Sequence, residues 1–151
     1  MVKRILLTII VALLIQTATS QKLVIGSKTP DLKDVEWKTA APSGGKAVLV
    51  EFYQSSNHTS ESLYSKLADI HSKYSNNVDI VVLTRENNAM IDRLIDSDGQ
   101  KYSFAYDPHG KTYEAFGVKF VPFTMLIDSK GSMLWQGNLS NITGQVLQKA
   151  K

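Results

Sequence analysis

Within the stretch Glu51 to Ser60 the chain places a glutamate, a histidine and a serine, residue types from which acid-base or nucleophilic chemistry can be built. Ser60 as a hydrolytic nucleophile requires a base within hydrogen-bond reach and a third group to orient that base. His58 is near in sequence, but no orienting acid accompanies it in a recognisable pattern, so no catalytic residue is assigned. Metal chemistry is no better served. His58, His71 and His109 are scattered without short ligand spacing, and neither a metal nor any other cofactor is expected. The chain contains no cysteine, which removes thiol nucleophiles, thiolate ligands and disulfides together.

Two residues of the stretch keep a physical role without chemistry. Asn57 cannot ionise, but asparagine is among the best helix N-caps because its side-chain oxygen accepts backbone N–H groups two and three positions on. Capping is therefore the first reading of Asn57, with Ser60 in the turn that it closes. Glu51 lies inside an apolar run. If its carboxyl is buried, desolvation pushes it toward the neutral form unless it is paired; a strand-end glutamate with its head in solvent, or paired to a lysine, is the other reading.

The elements that must position these residues follow from periodicity. Ala47-Val48-Leu49-Val50-Glu51-Phe52-Tyr53 is nearly continuously apolar, short, and rich in β-branched and aromatic residues, which predicts a buried central strand. Leu63, Leu67, Ile70 and Tyr74 recur on one helical face and predict a helix over Thr59 to Tyr74. Val78 to Leu83 reads as a second buried strand, and Met90, Ile91, Leu94 and Ile95 mark a second helix that stops near Gly99. A short strand at Tyr102 to Ala105 and a short helix at Lys111 to Phe116 come next. Phe123 to Ile127 and Ser132 to Gln136 form a hairpin across Asp128-Ser129-Lys130-Gly131. Ile142, Val146, Leu147 and Ala150 predict a closing helix.

The N-terminus is of another kind. Lys3 and Arg4 precede an apolar run from Ile5 to Ile15, and Ala18 and Ser20 supply the small residues of a cleavage site before Gln21. Residues 1–20 are read as a signal peptide, 21–45 as an irregular lead-in with one strand near Val35 to Trp37, and 46–151 as the domain proper. The apolar run falls short of the about 20 residues that span a bilayer, so no membrane span is expected after cleavage. The whole chain has 17 Lys and Arg against 14 Asp and Glu; losing Lys3 and Arg4 leaves 15 against 14, a net +1. That balance gives no basic footprint for nucleic acid.

Two stretches carry a family resemblance over roughly residues 24 to 150. Val48 to Ser60, with Phe52-Tyr53 running into Asn57-His58-Thr59-Ser60, resembles the strand-to-helix segment of exported thioredoxin-like and redoxin proteins, where a Phe-Trp pair runs into Trp-Cys-x-x-Cys. Gly117-Val118-Lys119-Phe120-Val121-Pro122-Phe123-Thr124-Met125-Leu126-Ile127-Asp128 resembles the family's Gly-Val-x-x-x-Pro-Thr-x-Phe-Leu-Ile-Asp. The chain departs from the family at Ser56, usually Trp, and at Phe120 and Phe123, where smaller residues are usual.

The resemblance implies an α/β thioredoxin-like fold with a central mixed β-sheet flanked by helices. It places Asn57 and Ser60 on the two cysteine positions and Glu51 on the family's buried acid, and it makes Pro122 the family's cis-proline, with Val121 offering main-chain groups. It implies export to the periplasm or beyond. The function expected is a non-catalytic module that holds an extended peptide or protein partner in a groove of Asn57, His58, Ser60, Phe120, Val121 and Pro122. A redox family member with its activity lost and a structural accessory subunit are the alternatives. Asn57-His58-Thr59, Asn138-Leu139-Ser140 and Asn141-Ile142-Thr143 fit the N-glycosylation pattern, which matters only in a source that glycosylates exported proteins.

Overall fold

The computed structural model of the chain describes residues 23–150; the signal peptide expected at residues 1–20 and its cleavage point at Gln21 lie outside the described residues. The elements in chain order are β1 (Glu36–Trp37), β2 (Ala47–Tyr53), α1 (His58–Tyr74), β3 (Val78–Thr84), α2 (Ala89–Asp98), β4 (Ser103–Tyr106), α3 (Lys111–Ala115), β5 (Phe123–Ile127), β6 (Met133–Gly137), a 3-10 turn (Leu139–Asn141) and α4 (Gly144–Lys149). The six strands form one mixed sheet in the order β1-β4-β3-β2-β5-β6. Strands β2, β3 and β4 are mutually parallel, as connections through helices require, and β5 and β6 return as an antiparallel hairpin.

Strand periodicity divides the core in two. Leu49 and Tyr53 of β2, Ile80 and Val82 of β3 and Leu126 of β5 face one way, where Leu67 and Ile70 of α1, Ile91 of α2 and Leu147 of α4 cover them. Val50 and Phe52, Val81 and Leu83, and Met125 and Ile127 face the other way, onto Tyr113 and Phe116 around α3 and onto Leu32, Val35 and Trp37 of the lead-in. Phe52 anchors this second layer, with its ring centroid 5.1 Å from Tyr113 in an edge-on arrangement.

The lead-in fastens to both sheet edges. Glu36 and Trp37 pair with Tyr106 and Ala105 of β4, while Lys28 bridges to Ser132 beside the β5–β6 turn. In that turn Gly131 takes φ +82°, a left-handed conformation that suits glycine, and the Asp128 side chain accepts from the amides of Lys130 and Ser132.

One element departs from the periodicity. The closing helix expected to carry Ile142 is two pieces, because Ile142 is extended between the 3-10 turn and α4. Capping explains the break: Asn138 caps the first piece through the Ser140 amide, and Thr143 caps α4 through the Val146 amide. Ile142 and Ala150 still reach the core from outside any helix. The strand expected from Tyr102 to Ala105 and the helix expected from Lys111 to Phe116 are each displaced or shortened by a residue at their ends.

The core placement makes a direct prediction. Leu126 is fully buried where β5 meets the α1 layer, whereas Met90 at the start of α2 is 40% exposed. Leu126→Ala is expected to destabilise the fold by about 2–5 kcal/mol, and Met90→Ala by less than about 0.5 kcal/mol, as read by urea denaturation.

Candidate functional site

The C-terminal ends of β2 and β3 and the loop before β5 converge at one edge of the sheet. After Tyr53 the chain turns through Gln54 to Ser56, and the turn is held by Glu86, whose carboxylate accepts from the Ser55 amide at 2.6 Å and the Ser55 hydroxyl at 2.9 Å. The chain then enters α1 at Asn57, which is extended at φ −97° and ψ 109°. Its Oδ1 accepts from the amides of Thr59 at 3.0 Å and Ser60 at 3.1 Å, satisfying two of the unpaired donors that open a helix.

The same side chain reaches the second loop. Asn57 Nδ2 donates to the Val121 carbonyl oxygen at 3.2 Å, so one amide joins the start of α1 to the loop preceding β5. The Val121–Pro122 peptide is cis. The N–H groups of Phe120 and Val121 donate to no acceptor among the described residues. Phe120 is 84% exposed, more than any other large hydrophobic of the described residues.

Beside this loop opens a cavity of about 370 Å³ whose walls include Tyr53, Arg85, Glu86, Tyr113, Phe120 and Val121. The Tyr113 hydroxyl donates to the Leu83 carbonyl at 3.0 Å with the Tyr53 carbonyl at 3.4 Å, which ties the back wall to the ends of both central strands. Burial pushes the Tyr113 phenol well above its usual range, so it stays a neutral donor.

The residues expected in the groove therefore separate. Phe120 and Val121 line the cavity, and Asn57 touches Val121, while Pro122 follows at the entry to β5. His58 points fully into solvent, with Nδ1 3.7 Å from Glu61. Ser60 is fully buried and its Oγ has no hydrogen-bond partner, so it can neither contact a ligand at the surface nor act as a nucleophile toward one. It belongs to the packing beneath α1. Among the described residues no group of three His, Asp or Glu side chains is placed to hold a metal.

Glu51 resolves to the buried alternative. It is 1% exposed, on the α1-facing side of β2 with Leu49 and Tyr53, and no lysine among the described residues pairs with it. Opposite it in the antiparallel register stands Thr124, whose hydroxyl donates to Oε2, while Oε1 has no partner. Desolvation raises its pKa from 4.5 to about 7, with the Thr124 hydrogen bond opposing the shift.

Arg85, Glu86 and Tyr113 were not among the expected site residues. A signal for the first two exists: Thr84-Arg85-Glu86 is where the apolar run of a parallel strand turns polar, and sites of open α/β sheets lie beyond the carboxyl ends of such strands. Tyr113 carries no comparable signal, because only the fold brings its short helix to the same edge.

A central mixed sheet, a helix starting at the end of a central strand, and an X-Pro loop facing that start define a thioredoxin-like domain. The chain belongs to the Redoxin family, whose model matches residues 18–150. Solved structures agree on the fold. A thioredoxin-like protein in the oxidized form matches with a TM-score of 0.67 at 16% identity, over 83% of this chain and 98% of that one. A Chlorobium tepidum protein assigned as a thiol:disulfide interchange protein DsbE matches at 0.66 and 24% identity, over 77% and 86%. The exposed lipoprotein thioredoxin of Streptococcus pneumoniae matches at 0.56 and 18%, over 70% and 86%. No curated protein matches the chain in sequence. Among the described residues no helix is long and apolar enough to cross a membrane.

Two predictions follow from the side chains at this edge. Asn57→Ala removes both the cap and the link to Val121 and is expected to cost about 1–2 kcal/mol, with faster amide exchange at Thr59 and Ser60; Asn57→Asp keeps the acceptor and should retain most of the stability. For Glu51, an acid whose native pKa exceeds its unfolded value stabilises the fold fully below the unfolded pKa and loses that contribution as pH rises through the native one. Stability should therefore fall between pH 4.5 and about 7, by roughly 1.4 kcal/mol per pH unit at most. Glu51→Gln should flatten this profile in urea denaturation, and an unchanged slope in that variant would rule Glu51 out as its source.

Proposed function

We propose that this redoxin-family chain is an exported, non-catalytic binding module that holds an extended peptide or protein segment against the Phe120–Val121 loop. The carrying observation is the unpaired Val121 N–H in a cavity wall, next to a phenylalanine that is 84% exposed. A main-chain donor in such a place can pair with a carbonyl of an incoming strand-like segment, the mode by which sheets accept an added strand. One such hydrogen bond contributes about 1 kcal/mol net, and covering Phe120 adds about 1.5–3 kcal/mol. Pro122 has no N–H and ends the run of donors, which confines pairing to the residues just before it.

Thiol-disulfide exchange, the chemistry named for several of the solved relatives, needs a thiolate at the start of α1. This chain has Asn57 there and no cysteine anywhere. The leader-like residues 1–20 and the likeness to an exposed lipoprotein thioredoxin support export to the periplasm or the cell exterior.

The test is binding of fluorescein-labelled octapeptides of random Val, Thr and Ser sequence, followed by anisotropy. Phe120→Ala is expected to weaken binding about tenfold, equivalent to about 1.4 kcal/mol. Val121→Pro should abolish it, with circular dichroism of both variants matching the parent. Equal affinity in all three proteins, or no binding by the parent, refutes the proposal.

A further inference from the structure

The cavity beside the Phe120–Val121 loop is charged unevenly. Its walls include Arg85, Lys119 and Glu86. The Glu86 oxygens are both occupied by Ser55 and serve to hold the turn before α1. Arg85 and Lys119 have no carboxylate within ion-pair distance among the described residues. The Arg85 guanidinium instead lies over the Tyr113 ring, its carbon 5.9 Å from the ring centroid. That placement sets the guanidinium over the aromatic face, and Gly110 leaves it room, since a Cβ there would stand 3.0 Å from the guanidinium carbon.

From this geometry we infer that the segment held at Val121 carries an acidic side chain, and that Arg85 and Lys119 receive its carboxylate in the cavity. The inference rests on the binding-module reading and adds a selectivity to it. A guanidinium held over an aromatic face is biased toward the cavity before a ligand arrives, and its planar fork matches a carboxylate in a bidentate pair. Lys119, one residue before Phe120 in the loop, adds a second positive charge to the lining of the same cavity. With Glu86 included, the net charge of the three groups is +1, and the negative member is already hydrogen-bonded on both oxygens. A partner with lysine at that position would meet two unpaired cations and be rejected.

The experiment uses three octapeptide pools with Val, Thr and Ser flanks and a fixed central Glu, Gln or Lys, titrated against the protein by anisotropy. The Glu pool should bind about tenfold more tightly than the Gln pool, and the Lys pool more weakly still. The Arg85→Gln/Lys119→Gln double variant should bring the Glu to Gln ratio to about one. Lys73→Gln, which removes a charge near the far end of α1, should leave that ratio intact. In a proton-nitrogen correlation spectrum, the Glu pool should shift the Arg85 Nε–H signal and the Gln pool should not. Equal binding of the Glu and Gln pools, or a preference that survives the double variant, overturns the inference and leaves the groove standing. Failure of every pool to bind overturns the groove reading, and the inference with it.

Discussion

Strand β2 is hydrogen-bonded along both edges, to β3 and to β5, and covered on both faces, and the remaining architecture is arranged to make that double burial possible. A strand in this position has no solvent to satisfy a polar side chain, so its sequence must be apolar almost throughout. Glu51 breaks that rule at the centre. The carboxyl is tolerated because Thr124 is directly across the β5 ladder and because its pKa is raised to about 7, which keeps the group largely protonated below neutral pH. The unpaired Oε1 of Glu51 and the unpaired Oγ of Ser60 both lie in the interior on the α1 side of the sheet. The family resemblance sets Glu51 and Ser60 at the positions of its buried acid and second cysteine. In this chain Glu51 keeps one hydrogen bond, from Thr124, and the Ser60 hydroxyl has no partner among the described residues.

At the surface, Asn57 organises the start of α1. A thiolate at a helix start is stabilised by the unpaired amides and by the helix dipole. Asn57 makes use of the same amides without a charge, accepting from two of them, and donates one Nδ2–H to Val121. The link joins the start of α1 to the loop before β5. It also occupies one lone pair of the Val121 carbonyl while leaving the Val121 N–H untouched. A segment docking there finds a donor ready and an acceptor already partly engaged, which favours pairing through its own carbonyl.

The fold was largely legible in the sequence because the parallel strands are apolar on both faces and the two long helices carry clear stripes. The Phe123–Ile127 strand was bounded correctly by a proline on one side and an Asp-Ser-Lys-Gly turn on the other. The C-terminus misled because burial there does not need a helix: Ile142 and Ala150 keep helical spacing with Val146 and Leu147 yet reach the core from extended backbone. At the site, Asn57 as a cap followed from its side chain alone. Ser60 did not announce its burial, because a serine near a helix start is usually exposed. Arg85 and Tyr113 meet only through the β3-to-α3 arrangement, a long-range contact that periodicity cannot encode.

With no cysteine in the chain, a partner of the kind proposed would have to be held without a disulfide, and in that reading the charged cavity makes the difference. A redox-active relative needs only a brief encounter, because the mixed disulfide traps its substrate covalently and the groove has merely to orient it. Without sulfur every contribution to residence must be non-covalent. One main-chain hydrogen bond and one phenylalanine together contribute a few kcal/mol, well short of a durable complex once the cost of immobilising a flexible segment is subtracted. A pair between a preoriented guanidinium and a carboxylate is the kind of interaction that closes this gap, since charge-assisted hydrogen bonds are roughly twice as strong as neutral ones. The exposed Phe120, the free Val121 donor and the Arg85 and Lys119 side chains without ion pairs among the described residues are thus consistent with a single requirement of the proposed reading: a surface that would retain a partner without a covalent bond.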